Sequence, residues 1–148
     1  MEAFEKHCAE DRPDAVVVVG DVNSTLACAV VAKKAGITVA HVEAGLRSGD
    51  MSMPEEINRL VTDSISDWFF VTEPSGVAHL KREGHPDERI FYVGHVMVDN
   101  VMYQARQIEG LDRSGYETQA IKDQLGGRYG VVTMHRPSNV DDLAVLGP

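Results

Sequence analysis

At 148 residues with 43% hydrophobic side chains, the chain has the length of one domain and enough apolar mass for a core, so it is not a disordered segment. The 14 Lys and Arg against 23 Asp and Glu give a net charge of -9 with no basic stripe, which argues against nucleic acid or an acidic membrane as partner. Sugars and nucleotides remain as ligand classes, because a local site can be basic in an acidic protein. Cys8 and Cys28 make no disulfide framework and fit a reducing, cytoplasmic setting. No run approaches the ~18 apolar residues of a transmembrane helix, and the first residues lack the pattern of a signal peptide.

In chain order, Phe4 and Cys8 lie four apart and predict a short helix ending before Pro13. Ala15-Val16-Val17-Val18-Val19 is a β-branched run without alternation, the pattern of a parallel strand buried on both faces. It ends in Gly20-Asp21. A helix follows, capped by Asn23 or Ser24, with Cys28 on its buried face and Gly36 placed to terminate it. Residues 37–42 predict a second strand, which runs into Glu43-Ala44-Gly45-Leu46-Arg47. Ser52 is placed to cap a helix begun by Pro54, whose apolar face comprises Ile57, Leu60, Val61, Ile65 and Trp68.

Trp68-Phe69-Phe70-Val71 reads as a third strand, and Thr72 as the cap of a helix from Pro74 that Gly84 ends. Residues 89–93 form a fourth strand before Gly94-His95, and a helix carries Val98, Val101, Met102 and Ala105. The polar, glycine-bearing residues 110–115 mark a break between lobes. A short helix over 116–125 precedes a fifth strand, 129–134, that ends in His135-Arg136-Pro137-Ser138-Asn139. Alternating strands and helices with short loops imply βαβ crossovers and a parallel α/β sheet. The fifth strand would have few neighbours from this chain, so it is expected to open a second domain. Both ends read as cut.

Open α/β sheets present ligand-handling groups at the carboxyl ends of strands, which makes Asp21, Glu43 and Glu55 the candidates for chemistry. Asp21 either faces the crevice or caps the next helix; the two roles are compatible. His41 and Glu43, two apart on a strand, share a face. They address one ligand together, or His41 is buried and hydrogen-bonded while Glu43 pairs with Arg47. Glu55 and Arg59 are a helical i, i+4 pair that is worth about 0.2–0.5 kcal/mol when exposed, and Glu55 and Glu56 both suit a first helical turn. His135 and Arg136 follow a strand and suit phosphate oxygens, and His95 repeats that placement more weakly. No metal-ligand spacing, dinucleotide glycine fingerprint, phosphate loop or serine-nucleophile signature is present.

With these pieces in this order, the chain resembles the non-hydrolysing UDP-N-acetylglucosamine 2-epimerases. The resemblance rests on Gly20-Asp21 after a valine run, the 41–47 segment, Pro54-Glu55-Glu56-Ile57-Asn58-Arg59, Val93-Gly94-His95 with Asp99, and His135-Arg136 with Asn139. It implies a three-layer Rossmann-like parallel sheet within a two-domain, glycosyltransferase-B-type architecture. Residues 1–109 would be an incomplete N-terminal domain, 110–127 an interdomain linker and helix, and 128–148 the start of a C-terminal UDP-binding domain. The implied reaction is C2 epimerisation of UDP-GlcNAc to UDP-ManNAc by elimination and re-addition of UDP through 2-acetamidoglucal, with no cofactor and no metal.

By position Asp21, Glu43, Glu55 and His135 match the family's catalytic groups, and His41, Arg47, Arg59, His95, Arg136 and Asn139 are expected at the substrate. The whole protein would be a cytoplasmic homodimer more than twice this length, supplying surface polysaccharide synthesis, with the piece alone inactive. Two departures stand out: the family's opening strand with its Gly-Thr-Arg-Pro-like loop is missing, and Pro137 and Ser138 stand where many bacterial members carry an arginine and an acidic residue.

Overall fold

The computed structural model describes residues 1–134 and 137–146. Its contacts divide the chain into two compact units, residues 1–104 and 105–148. In the first unit the order is α1 (Glu2–Glu10), β1 (Ala15–Val19), α2 (Asn23–Lys34), β2 (Thr38–Val42), α3 (Pro54–Ile65), β3 (Trp68–Val71), α4 (Pro74–Arg82) and, after a short 3-10 turn, β4 (Ile90–Tyr92). α5 (Val96–Glu109) begins there. The four strands are parallel and lie in sequence order, β1-β2-β3-β4. This is the Rossmann-like α/β sheet expected.

Consecutive neighbours joined by right-handed crossovers put every connecting helix on one face of the sheet. That face is the core. Val16, Val18 and Val39 pack with Cys8 of α1 and with Ala29 and Ala32 of α2. Phe69 and Val71 pack with Ala44 and Leu80 of α4. The small residues of α2 let it sit close to the strands. Both α2 and α4 end in the same way, with Gly36 (φ 70°) and Gly84 (φ 91°) in the left-handed region. Behind them Ile37 donates to Ala32 O, and His85 to Leu80 O, closing off the last carbonyls.

The opposite face differs from the expectation for β1. Val17 and Val19 are 63% and 54% exposed, so the valine run is buried on one face only. A β-branched run without alternation does not report burial; β1 is an edge strand, and nothing from the described residues covers its outer face. The register lines Val19, Val42, Phe70 and Phe91 across that same face, with the Phe70 and Phe91 rings stacked at 5.4 Å.

Helix α3 also departs from its expected orientation. Its buried residues are Glu56, Asn58, Thr62 and Asp63; of the expected apolar face Ile57 and Val61 are exposed, while Leu60 is half-buried and Ile65 packs against the core. Capping differs too: Val22, Met53 and Glu73 occupy the N-cap positions without side-chain caps, so Asn23, Ser24, Ser52 and Thr72 do not act as expected. Cys28 is half-buried.

The second unit contains the end of α5, then α6 (Glu117–Gln124), α7 (Pro137–Val140) and α8 (Leu143–Leu146). Gly126 and Gly127 both take positive φ after α6. Residues 129–134 form no strand: they pair with nothing, and Val131 and Val132 are exposed. A strand exists by hydrogen-bonding a neighbour, and the sheet that would supply one is not in this chain's described residues. His135 and Arg136 lie outside the described residues. Among the described residues no helix is long and apolar enough to cross a membrane.

Candidate active site

The carboxyl edge of the sheet carries the site. Gly20, at φ 70°, turns the chain out of β1, and its N–H donates to Val42 O at 3.0 Å, tying the ends of β1 and β2 together. Asp21 follows directly and is half-buried. It is not a helix cap, since Val22 holds that position. The main chain at Asp21 is fixed instead by Asn58 of α3, whose Nδ2 donates to Asp21 O at 2.8 Å and to Asn23 Oδ1 at 2.9 Å.

Glu43 directly follows β2 and is the one non-glycine residue among those described with positive φ, at 70°. Left-handed backbone at a residue with a Cβ costs about 1–2 kcal/mol. Here it is held by two donations to Phe70 O, from Glu43 N at 3.0 Å and Ala44 N at 3.2 Å. The strained turn aims the side chain back over β1: Glu43 Oε2 is 3.6 Å from where a Cβ on Gly20 would stand. The Glu43 carboxylate thus sits over the Gly20 turn, directly before Asp21. Such strain gathers at functional turns.

Glu55 and Glu56 occupy the first turn of α3 and differ sharply. Glu56 is 2% exposed and accepts from the N–H groups of Ser48 and Gly49 at 2.9 and 3.0 Å. Burial pushes its carboxyl up, but these donors and Arg59 outweigh that and hold it below the usual range. Glu55 is exposed, and its carboxylate has no hydrogen bond or ion pair among the described residues. Arg59, one turn on, lies 3.6 Å from both Asp21 Oδ2 and Glu56 Oε2 and donates to Glu55 O at 3.2 Å. It pairs with Asp21 rather than with the Glu55 carboxylate.

Below this edge is a buried polar cluster. His41 has no exposed surface; Nδ1 lies 2.6 Å from Asp63 Oδ1 and Nε2 lies 2.9 Å from Gly20 O. Of its two readings, the buried and hydrogen-bonded one describes it, and with both nitrogens engaged it does not reach a ligand directly. Arg47 is likewise consumed, and not by Glu43. Its Nη2 is 2.7 Å from Asp63 Oδ2, its Nε and Nη2 make a two-point pair with Glu83 at 2.9 and 2.6 Å, and Nη1 donates to Leu46 O. Burial lowers the guanidinium's proton affinity, but Glu83 and Asp63 together raise it above its ordinary value. Every guanidinium nitrogen thus has a protein acceptor, and of the five N–H groups only the second on Nη1 is not engaged by these contacts.

Gly45 completes the turn. Its N–H donates to Asp63 Oδ2 at 3.0 Å, its carbonyl accepts from or faces His79 Nδ1 at 2.9 Å, and a Cβ there would stand 2.4 Å from Gly76 O. His95 is exposed, and its carbonyl accepts from Val98 N at the start of α5. Asn139 is half-buried within α7, in the second unit.

Sequence reading missed Asp63, Glu56 and Asn58. The available signal was the spacing 56, 59, 63, which runs a charged stripe along α3 beside the apolar one. Among the described residues no group of three His, Cys, Asp or Glu side chains is set to hold a metal ion.

A parallel Rossmann-like sheet with acidic side chains gathered at the carboxyl ends of its strands defines an α/β protein of the ligand-cleft type. The chain belongs to the UDP-N-acetylglucosamine 2-epimerase family, whose model matches residues 1–146. It is 44% identical over 141 residues to the UDP-N-acetylglucosamine 2-epimerase of Methanocaldococcus jannaschii, covering 94% of this chain and 37% of that protein. It is 39% identical over 135 residues to the UDP-2,3-diacetamido-2,3-dideoxy-D-glucuronate 2-epimerase of Pseudomonas aeruginosa, covering 90% of this chain and 36% of that one. The M. jannaschii UDP-GlcNAc 2-epimerase in complex with UDP-GlcNAc and UDP superposes with a TM-score of 0.82 at 42% identity, over 95% of this chain and 38% of that chain. The chain therefore spans less than two fifths of the length of these relatives. The fold is accordingly that of one part of a two-domain, glycosyltransferase-B-type architecture.

Proposed function

We propose that the chain supplies the carboxylate-bearing lobe of an enzyme that epimerises UDP-N-acetylglucosamine at C2. The observation that carries this is the strained Glu43 turn, which puts its carboxylate beside Gly20-Asp21, with Glu55 exposed on the helix that fixes Asp21. The C2 proton of a sugar is weakly acidic, so its removal needs a positioned base, and loss of UDP needs a stabilised diphosphate. Asp21, Glu43 and Glu55 are the proposed acid and base groups, and Arg59, 3.6 Å from Asp21 Oδ2, orients Asp21. The proton leaves C2 as UDP departs, giving 2-acetamidoglucal; UDP then adds back as a proton is delivered to the opposite face of C2. No redox cofactor enters that balance.

His135, Arg136 and Asn139 are proposed at the diphosphate, and His95 at the substrate. Residues 110–127 serve as linker in this reading, and residues 128–148 begin the UDP-binding domain that would give 129–134 its strand partners. The complete protein, not the 148-residue chain alone, carries the activity.

The test is incubation of the complete protein with UDP-GlcNAc in D2O, followed by proton NMR. The expected result is a UDP-GlcNAc and UDP-ManNAc mixture carrying deuterium at C2. Free ManNAc would assign a hydrolysing reaction instead, and bound but undeuterated substrate would make this a non-catalytic nucleotide-sugar lobe. The 39% identity to the diacetamido-glucuronate 2-epimerase supports a second substrate, a UDP-sugar acid epimerised at the same carbon. Running both sugars in competition decides between them.

A further inference from the structure

Asp63 is buried, 42 residues from Asp21 and 20 from Glu43 in sequence, yet it is joined to the turns that present both. Its Oδ2 accepts from Gly45 N at 3.0 Å, which fixes the turn behind Glu43. Its Oδ1 meets His41 Nδ1 at 2.6 Å, and the far side of the same ring meets Gly20 O at 2.9 Å, the carbonyl immediately before Asp21. The partners determine the ring's hydrogens. A peptide carbonyl only accepts, so Nε2 carries a hydrogen. Burial pushes the Asp63 carboxyl up, but His41 and Arg47 outweigh that and hold it below its ordinary range. The His41 ring is thus wedged between the Asp63 carboxyl and the Gly20 carbonyl. Arg47, at 2.7 Å from Asp63 and paired with Glu83, closes the cluster on its other side.

We propose that Asp63 and His41 are positioning residues that together set the separation of the Asp21 and Glu43 carboxylates. Neither touches substrate; Asp63 acts through Gly45 and, by way of the His41 ring, through Gly20. This rests on the epimerase reading above. Without the brace the Gly20 and Gly45 turns are left with their backbone ties to Val42 O and Phe70 O, and a shift of about 1 Å in a reacting group can cost on the order of a hundredfold in rate. Asp63→Asn is the discriminating change, because its amide puts a donor against either the His41 or the Gly45 and Arg47 donors.

Two measurements test it. In the complete protein, Asp63→Asn and His41→Gln are expected to lower kcat at least tenfold with KM within about threefold. The comparison is Asp67→Asn, which weakens the half-buried Lys33–Asp67 pair (2.7 Å) and is expected to lower the melting temperature while leaving kcat unchanged. If Asp63→Asn loses no more kcat than Asp67→Asn at equal loss of melting temperature, the role is structural only and the proposal falls. Separately, proton–nitrogen correlation spectra of the complete protein, with His41→Gln for assignment, are expected to show a slowly exchanging ring N–H signal for His41 that Asp63→Asn shifts or removes. A His41 ring signal that Asp63→Asn leaves unchanged overturns the brace whatever the enzyme does. A signal that Asp63→Asn does move, in a parent protein without turnover, would leave the brace standing and remove the epimerase reading.

Discussion

Glu55 and Glu56 are consecutive, yet Glu56 is clamped by the Ser48 and Gly49 amides while Glu55 is exposed and its carboxylate has no partner among the described residues. One carboxylate holds the loop after Arg47 to the first turn of α3; the other is the one proposed for chemistry. The nearly isosteric amide separates them. Glu56→Gln replaces one acceptor by a donor facing the Ser48 or Gly49 N–H, and leaving a buried donor unsatisfied costs about 1–3 kcal/mol. Glu55→Gln alters an exposed group and should stay within about 0.5 kcal/mol of the parent. Urea unfolding of the two variants, with kcat measured in the complete protein, is expected to show Glu56→Gln losing stability and Glu55→Gln losing kcat. The reverse pattern would exchange their roles.

Asp21 and Glu43 extend the same logic. Asp21→Asn and Glu43→Gln keep shape and are expected to reduce kcat by at least a hundredfold while the melting temperature moves little. Kinetics alongside melting curves check this. Activity equal to the parent in both variants would remove the carboxylates from the reaction.

The strain at Glu43 makes its own prediction. Glu43→Ala keeps a Cβ at φ 70°, whereas Glu43→Gly releases it. Relief of about 1–2 kcal/mol is partly offset by the greater unfolded-chain entropy of glycine, about 0.4–1 kcal/mol. Glu43→Gly should therefore be more stable than Glu43→Ala by up to about 1.6 kcal/mol, read as a higher urea midpoint, though both lack the carboxylate. An Ala variant as stable as the Gly variant would mean that this turn relaxes.

Gly45 has less freedom. It combines φ 78° with a close approach to α4, where an added Cβ would stand 2.4 Å from Gly76 O and 2.9 Å from Gly76 Cα. Gly45→Ala adds left-handed strain, about 1–2 kcal/mol, to an overlap with backbone that costs about 1–3 kcal/mol. A loss of roughly 2–5 kcal/mol in unfolding free energy is expected, and a loss below 0.5 kcal/mol would show that α4 can retreat.

What the sequence made legible follows from period and punctuation. The runs Ala15–Val19 and Trp68–Val71, the glycines after α2 and α4, and Pro at the start of α3 and α4 carry local chemistry strong enough to place those elements. The strand-end positions of Asp21 and Glu43 followed from them. Legibility failed where tertiary context decides. The valines of β1 look alike in sequence, and only the sheet order shows that Val17 and Val19 face outward. In α3 the apolar stripe held for Ile65, which packs on the core, and failed for Ile57 and Val61, because His41 and Arg47, far away in sequence, satisfy a polar inner face at Asp63. A strand over 129–134 needed a neighbour that local sequence does not provide.

The buried carboxylates also set the response to acid. Asp63 and Glu56 both have folded proton affinities lowered against a burial effect that alone would raise them, Asp63 by His41 and Arg47, Glu56 by the Ser48 and Gly49 amides and Arg59. A group depressed in this way stabilises the fold fully above its unfolded pKa, about 3.9 for Asp and 4.3 for Glu. That contribution is lost as pH falls through the lower folded value. Asp67, held down by Lys33 and the Val39 amide against its own burial, adds to the same window. Stability measured by urea unfolding should be nearly constant from pH 7 to 5 and fall steeply below about pH 4. Asp63→Asn is expected to be less stable at pH 7 and to lose less on acidification, so that the two curves converge as pH drops. Parallel curves from pH 5 to 3 would show that Asp63 keeps the same proton affinity folded and unfolded, and that its contacts with His41 and Arg47 contribute nothing to acid sensitivity.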